Sequence, residues 1–122
     1  MCGGDTGSLR WGIEPNNFCH SPAEYTFAFS AYPVSPTETH VVSKWLVHED
    51  AVEGVDYDIA SLTDLWTRTN LQDKELAENN QLGVNSPGYT PGPYSPDAES
   101  LTMRFVDWYC AKANAYLDRA AR

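Results

Sequence analysis

Hydrophobic and polar positions alternate most clearly at two places in the first half of the chain, then change to a helical rhythm. Tyr25, Phe27 and Phe29 alternate with Thr26, Ala28 and Ser30, the period of two expected of a half-buried strand. The pattern returns from Thr39 to Val47. Val41, Ser43, Trp45 and Val47 fall on one face there, and His40, Val42, Lys44, Leu46 and His48 on the other. Between the two runs, PVSPTE at 33–38 carries turn chemistry, with Pro36 suited to the second position of a type I turn. Together they predict an antiparallel hairpin that belongs to a larger sheet. Upstream, Trp11 to Phe18 is short and interrupted by Pro15, which predicts one brief strand and a turn. Residues 1–10 are Gly-rich and polar, without periodicity, and predict a disordered lead-in.

From Ser61 to Asn85 the apolar positions recur at helical spacing. Leu62, Trp66, Thr69, Asp73, Leu76 and Asn80 fall on one side, while Asp64, Arg68, Lys74, Glu75 and Glu78 fall on the other. The start lies near Asp58 or Ser61, where Ser61 followed by Asp64 approximates a capping box. Gly83 marks the expected C-terminal stop. One residue breaks the amphipathic rule: Asp73 is a carboxylate on the apolar stripe. Burying it costs roughly several kcal/mol unless it is paired, hydrogen-bonded or bound to a metal. Two explanations stand side by side: an acid held by Arg68 or Asn80, and an acid that serves a site. Asn80, a second polar residue on the same stripe, favours a face that lines a site. Nearby Trp66, Tyr57, Tyr89 and Tyr94 have the chemistry to cage a cationic substrate, although for each one the default reading is simple core.

The stretch HEDAVEGVDYD at 48–58 carries five carboxylates and reads as a solvated loop with an acidic helix entrance. Its carboxylates lack the regular ligand spacing of a calcium loop. After the helix, NSPGYTPGPY at 85–94 is irregular and rich in turns. Ser95-Pro96 then opens a last helix as N-cap and first helical residue. Leu101, Phe105, Trp108, Tyr109 and Tyr116 form one apolar side of it, and Met103, Val106, Cys110 and Leu117 a second, so it is expected to pack on two neighbours.

The remaining numbers narrow the function. With 122 residues, 42% hydrophobic content and 15 aromatics (4 Trp, 7 Tyr, 4 Phe), the chain has the makings of one folded domain with a modest core. A net charge of −9 argues against nucleic acid and anionic membranes as partners. No apolar run is long enough to span a bilayer, and MCGGDTGSLR does not read as a signal peptide. Cys2, Cys19 and Cys110 are odd in number and scattered, which predicts reduced thiols and a cytoplasmic location. His20, His40 and His48 lack the close spacing of paired metal ligands. Nucleophile-elbow and phosphate-loop motifs are absent from the sequence.

Four stretches nevertheless have a familiar form: SKWLVHEDAVEGVDYD, LWTRTNLQDKELAENNQLGVNS, YTPGPYSPDAES and FVDWYCAKANAYL. They resemble the C-terminal part of a Rieske-type aromatic-ring-hydroxylating oxygenase α subunit. Within that family the likeness is to the subgroup acting on glycine betaine, stachydrine, choline or carnitine. It runs from about Trp11 to the end and is most specific around Asp73 and Glu78-Asn79-Asn80-Gln81. The resemblance implies an α+β, helix-grip catalytic-domain fragment at 11–122, with an antiparallel sheet and two long helices. It implies that Asp73 completes a 2-His-1-carboxylate site for mononuclear Fe(II), and that Trp66 and Asn80 line the substrate pocket. The two histidine ligands, and the Cys-His pairs that hold a [2Fe-2S] cluster in an N-terminal Rieske domain, have no match in this sequence. The chain is therefore expected to be inactive alone. The implied reaction is O2- and NAD(P)H-dependent hydroxylation or N-demethylation, with electrons from a ferredoxin or reductase and a homo-oligomer, a trimer in the family. A stand-alone helix-grip module that binds a small ligand without iron is the alternative.

Overall fold

The computed structural model describes residues 7–121. Four strands, β1 (Leu9–Ile13), β2 (Asn17–Ser21), β3 (Thr26–Ser35) and β4 (Glu38–Leu46), precede two helices, α1 (Ile59–Val84) and α2 (Ser100–Ala120). The strands form one antiparallel sheet in the order β1-β2-β3-β4, each hydrogen-bonded to its neighbour in sequence. This is the α+β class that the alternation and the helical spacing predict. No helix among the described residues is long and apolar enough to cross a membrane.

The expected hairpin is present and longer than its pattern. β3 continues through Pro33 to Ser35, and the turn shrinks to Pro36-Thr37. Pro33 lies opposite Thr39, and the register shifts between Pro33 and Ser35; a bulge of this kind bends the strand where proline has no N–H to offer. The first segment differs from expectation more substantially. Instead of one strand and a turn, Leu9–Ser21 makes a hairpin, with Leu9 paired to Ser21 and Ile13 to Asn17. Pro15 interrupts the pattern because it sits in the connecting turn, its preceding peptide bond cis. Leu9 and Arg10, assigned to a disordered lead-in, belong to β1; the rest of that expectation falls largely on residues 1–6, outside the described ones.

Register places His20, Phe27 and Trp45 side by side on one sheet face, with Phe18, Phe29 and Ser43 in the next row. Helix α1 lies on this face. Phe27 is only 3% exposed, and Trp66 of α1 stacks flat on it, with ring centroids 4.4 Å apart and planes 2° from parallel. Trp45 approaches the same ring at 5.2 Å and His20 meets Trp66 edge-on at 5.1 Å. The opposite face, bearing Leu9, Trp11, Ile13, Val42 and Leu46, is exposed. Thus the modest core expected of the chain is reduced, among the described residues, to a cluster around Phe27. The cause is simple: only one of the two sheet faces is covered.

The chain divides into one compact unit ending at Tyr89 and a second beginning at Thr90. In the second, Ser95 opens a single turn rather than the helix. Its hydroxyl accepts from the Ala98 N–H at 3.3 Å, while its own N–H donates to the Glu99 carboxylate at 2.7 Å. The helix proper starts four residues later than expected, at Ser100. Phe105 lies 6.2 Å from Trp108 and 6.1 Å from Tyr109 along α2. No residue of α2 is buried, and Met103, Leu117 and Cys110, expected to pack, are exposed.

Candidate functional site

Helix α1 carries the candidate residues, and its start is fixed by chemistry at one residue. Asp58 is the N-cap: in extended backbone geometry it accepts from both the N–H and the hydroxyl of Ser61, each at 2.9 Å. These bonds, the backbone one first, hold its pKa below the ordinary 3.8, as hydrogen bonds to the charged form do. Ser61 is therefore the partner of the cap rather than the cap, and the expected box with Asp64 does not form. Asp64 instead pairs with Arg68. Ahead of the cap, the acidic loop is ordered by its own backbone. Val52 donates to the Asp56 carboxylate at 3.0 Å, Asp56 donates back to the Val52 carbonyl at 2.9 Å, and Gly54 donates to the Tyr57 carbonyl at 2.8 Å. Gly54 takes φ 81°, a left-handed conformation that favours glycine. At its far end α1 runs through Gly83 and stops at Asn85 in right-handed geometry, so Gly83 is not the stop.

Two hydrogen bonds dock α1 on the sheet. The Trp66 indole N–H donates to the Tyr25 hydroxyl at 3.0 Å, and the Asn70 amide donates to the Ser43 hydroxyl at 3.0 Å. Leu62, Thr63, Trp66, Thr69 and Asn70 are partly buried; every residue from Leu71 to Val84 is exposed. Trp66 was expected on a substrate wall. The structure places it in the helix–sheet interface, its face on Phe27 and its N–H on Tyr25, roughly 10 Å along the helix from Asp73 at 1.5 Å per residue. Asn70, which the apolar stripe omitted, is one of the two docking residues. Its signal was readable: it lies four residues after Trp66, on the same face.

Asp73 is exposed, not buried, so the cost that singled it out is not incurred. Neither proposed partner holds it among the described residues: Arg68 is taken by Asp64, and no hydrogen bond joins Asp73 to Asn80; Lys74, next to it, pairs with Glu78 at 3.8 Å. Asp73 and Asn80 do share one face. With Leu76 and Ala77 they line an open depression on the helix surface. Among the described residues neither makes a side-chain hydrogen bond or ion pair, which leaves an acid and an amide free for something else. The histidines go elsewhere. His40 pairs with Glu38 at 2.8 Å, His48 with Asp50 at 3.6 Å, and His20 packs on Trp66 beside Arg10. No group of three metal-ligating side chains exists among the described residues. Among the described residues Asp73 thus stands as an exposed carboxylate on α1, outside any group of three metal-ligating side chains.

An antiparallel sheet with a long helix laid across one face makes an α+β domain, and Asp73 and Asn80 share an open depression on that helix. The sequence matches the family described as "Ring hydroxylating alpha subunit (catalytic domain)" over residues 4–114, and the chain belongs to that family. Among its relatives is the glycine betaine monooxygenase oxygenase subunit of Pseudomonas aeruginosa (strain UCBPP-PA14), 50% identical over 105 residues, covering 86% of this chain and 24% of the relative. The protein of the same name in Chromohalobacter salexigens is 45% identical over 117 residues, covering 96% of this chain and 26% of the relative. The chain spans about a quarter of the length of these curated relatives.

Proposed function

We propose that the chain contributes one of three protein ligands, the Asp73 carboxylate, to the mononuclear iron site of a Rieske non-haem iron oxygenase. The observation that carries this reading is Asp73 itself: exposed, held on a docked helix, unpaired among the described residues, and lining an open depression with Asn80. Two histidines and a carboxylate with open positions suit ferrous iron, which when bound supplies O2 activation. The two histidines would come from outside this chain, and so would the [2Fe-2S] cluster of an N-terminal Rieske domain. A ferredoxin or reductase would feed that cluster from NAD(P)H. Asn80, two turns beyond Asp73, takes the pocket wall, where its amide can donate to or accept from a polar substrate group. Trp66 serves the site indirectly by anchoring the helix.

The relatives, named glycine betaine monooxygenase oxygenase subunits, support glycine betaine as the substrate. Hydroxylation or N-demethylation of a quaternary ammonium compound, or of an aromatic substrate, is the reaction class proposed. A cytoplasmic homo-oligomer, a trimer by family resemblance, is part of the same proposal, and the sheet edges β1 and β4 are surfaces on which strand pairing could continue. The test is metal analysis and turnover of the intact subunit. Stoichiometric iron, and formaldehyde released from glycine betaine with NAD(P)H and O2, are expected; an iron-free protein that binds the ligand unchanged would contradict the reading.

The lack of a three-ligand group among the described residues favours a second reading, a stand-alone helix-grip module that binds a small ligand without iron. The coding sequence immediately upstream separates the two. A histidine pair and a cysteine-histidine cluster there support the oxygenase, and their absence supports the module.

A further inference from the structure

We propose that the aromatic side of α2 is a docking face for α2 of a second copy of this chain, laid antiparallel. At roughly 100° per residue, Leu101, Phe105, Trp108, Lys112, Tyr116 and Arg119 fall on one side of the helix. The acids Asp107 and Asp118 fall away from it. Phe105 lies 6.2 Å from Trp108 and 6.1 Å from Tyr109, so three of the rings are already gathered. Yet α2 contains no buried residue, and Leu101, Tyr109 and Tyr116 are exposed. Apolar patches rimmed by polar groups mark interaction surfaces, and aromatics are the residues that interface cores favour.

Charge selects the occupant. A net charge of −9 opposes self-association over most of the chain. Helix α2 is the exception, with three cations (Arg104, Lys112, Arg119) against two acids (Asp107, Asp118). None of those cations makes an ion pair among the described residues. Asp97 and Glu99 precede the helix, and Arg119 stands in its last turn. Antiparallel alignment therefore sets the acidic end of each helix against the basic end of the other, whereas parallel alignment sets like against like. With the two-fold axis at Cys110, Lys112 falls over Trp108 of the second copy and Arg104 beside its Tyr116, because each pair stands equally far on either side. Phe105 meets Ala115 of the second copy, whose small side chain leaves room for the ring. A cation is attracted to an aromatic face, and the symmetry makes every such contact twice. This two-fold contact is independent of the iron reading and of the trimer proposed with it.

The test is sedimentation equilibrium of the 122-residue chain over a concentration series, with helix content followed by circular dichroism. A reversible monomer–dimer equilibrium is expected. Trp108→Ala should raise the dissociation constant at least about tenfold. Lys112→Ala should raise it roughly fivefold, as two cation–aromatic contacts vanish. Arg119→Glu should weaken the dimer, and adding Asp97→Arg and Glu99→Arg should restore it, since only antiparallel helices bring these ends together. Ile13→Lys on the uncovered sheet face and Leu117→Lys on the other side of α2 should leave the constant unchanged. A monomer throughout, a trimer, a dimer indifferent to Trp108→Ala, a dimer lost through Ile13→Lys, or a charge reversal without rescue would each overturn the proposal. Should the charge-reversed chain lose its helix content, Trp108→Ala set against Ile13→Lys decides.

Discussion

The two halves of helix α1 differ in almost everything except their pattern. From Ile59 to Asn70 the helix is capped by Asp58, stacked on Phe27 and hydrogen-bonded to Tyr25 and Ser43. From Leu71 to Val84 no residue is even partly buried, and Leu76 and Leu82 are 69% and 70% exposed. The same 3.6-residue rhythm runs through both. The first half is therefore structural, with Trp66 and Asn70 engaged in docking and Asp64, Arg68, Thr63 and Thr69 in bonds within the helix. The second half presents its stripe outward, and its acid and amide are unspent. A helix that separates anchoring from presentation in this way can hold a ligand residue rigidly without burying it.

Trp66→Ala should break the anchoring half most severely. Removing the ring stacked on Phe27 together with its N–H bond should cost about 3 kcal/mol, read by urea unfolding of the full chain. A loss near zero would mean that the sheet does not hold this helix. Tyr25→Phe removes only the acceptor of the indole N–H and should cost about 1 kcal/mol, with the helix content by circular dichroism unchanged. Asp58→Ala should lower stability at neutral pH and lose that effect in acid. The Asp58 pKa is lowered on folding by its bonds to Ser61. Its contribution is therefore complete above the ordinary 3.8 and disappears as pH falls through the lowered folded value. Wild type and Asp58→Ala should converge there; a gap that persists in strong acid would assign the cap to something other than its charge. In the presenting half, Leu76→Ala should change stability of this chain by less than about 0.5 kcal/mol. A larger loss would show that the second half is anchored too.

The contrast also explains what could be read from the residues alone. The β3–β4 hairpin and α1 were legible because alternation and helical spacing report which residues share a face, and both elements are long. Asp73 and Asn80 do lie on one face, lining one depression, as their seven-residue spacing requires. What spacing does not report is where the covering surface ends. Asp73 looked buried because it shares a stripe with Leu62 and Trp66, which are partly buried, yet the covered part of the helix stops at Asn70. Trp66 fitted a cation cage as well as the core that its pattern makes the default, and its stack on Phe27 places it in the helix–sheet interface. The first hairpin was hidden by its shortness: strands of five residues joined across Pro15 leave too few alternations to stand out, although Leu9, Trp11 and Ile13 do alternate with Arg10 and Gly12. The start of α2 was set too early because Ser95-Pro96 opens a turn with the same capping chemistry as a helix. The three histidines have local partners instead: Glu38 for His40, Asp50 for His48 and Trp66 for His20.

The iron content of the intact subunit carrying Asp73→Ala measures the central claim most directly. Asp73 is exposed and unpaired among the described residues, so its removal should leave the fold and its unfolding transition in place, while the proposed iron ligation predicts loss of iron and of the proposed turnover of glycine betaine. A folded Asp73→Ala protein that keeps its full iron complement and turns over would contradict the account.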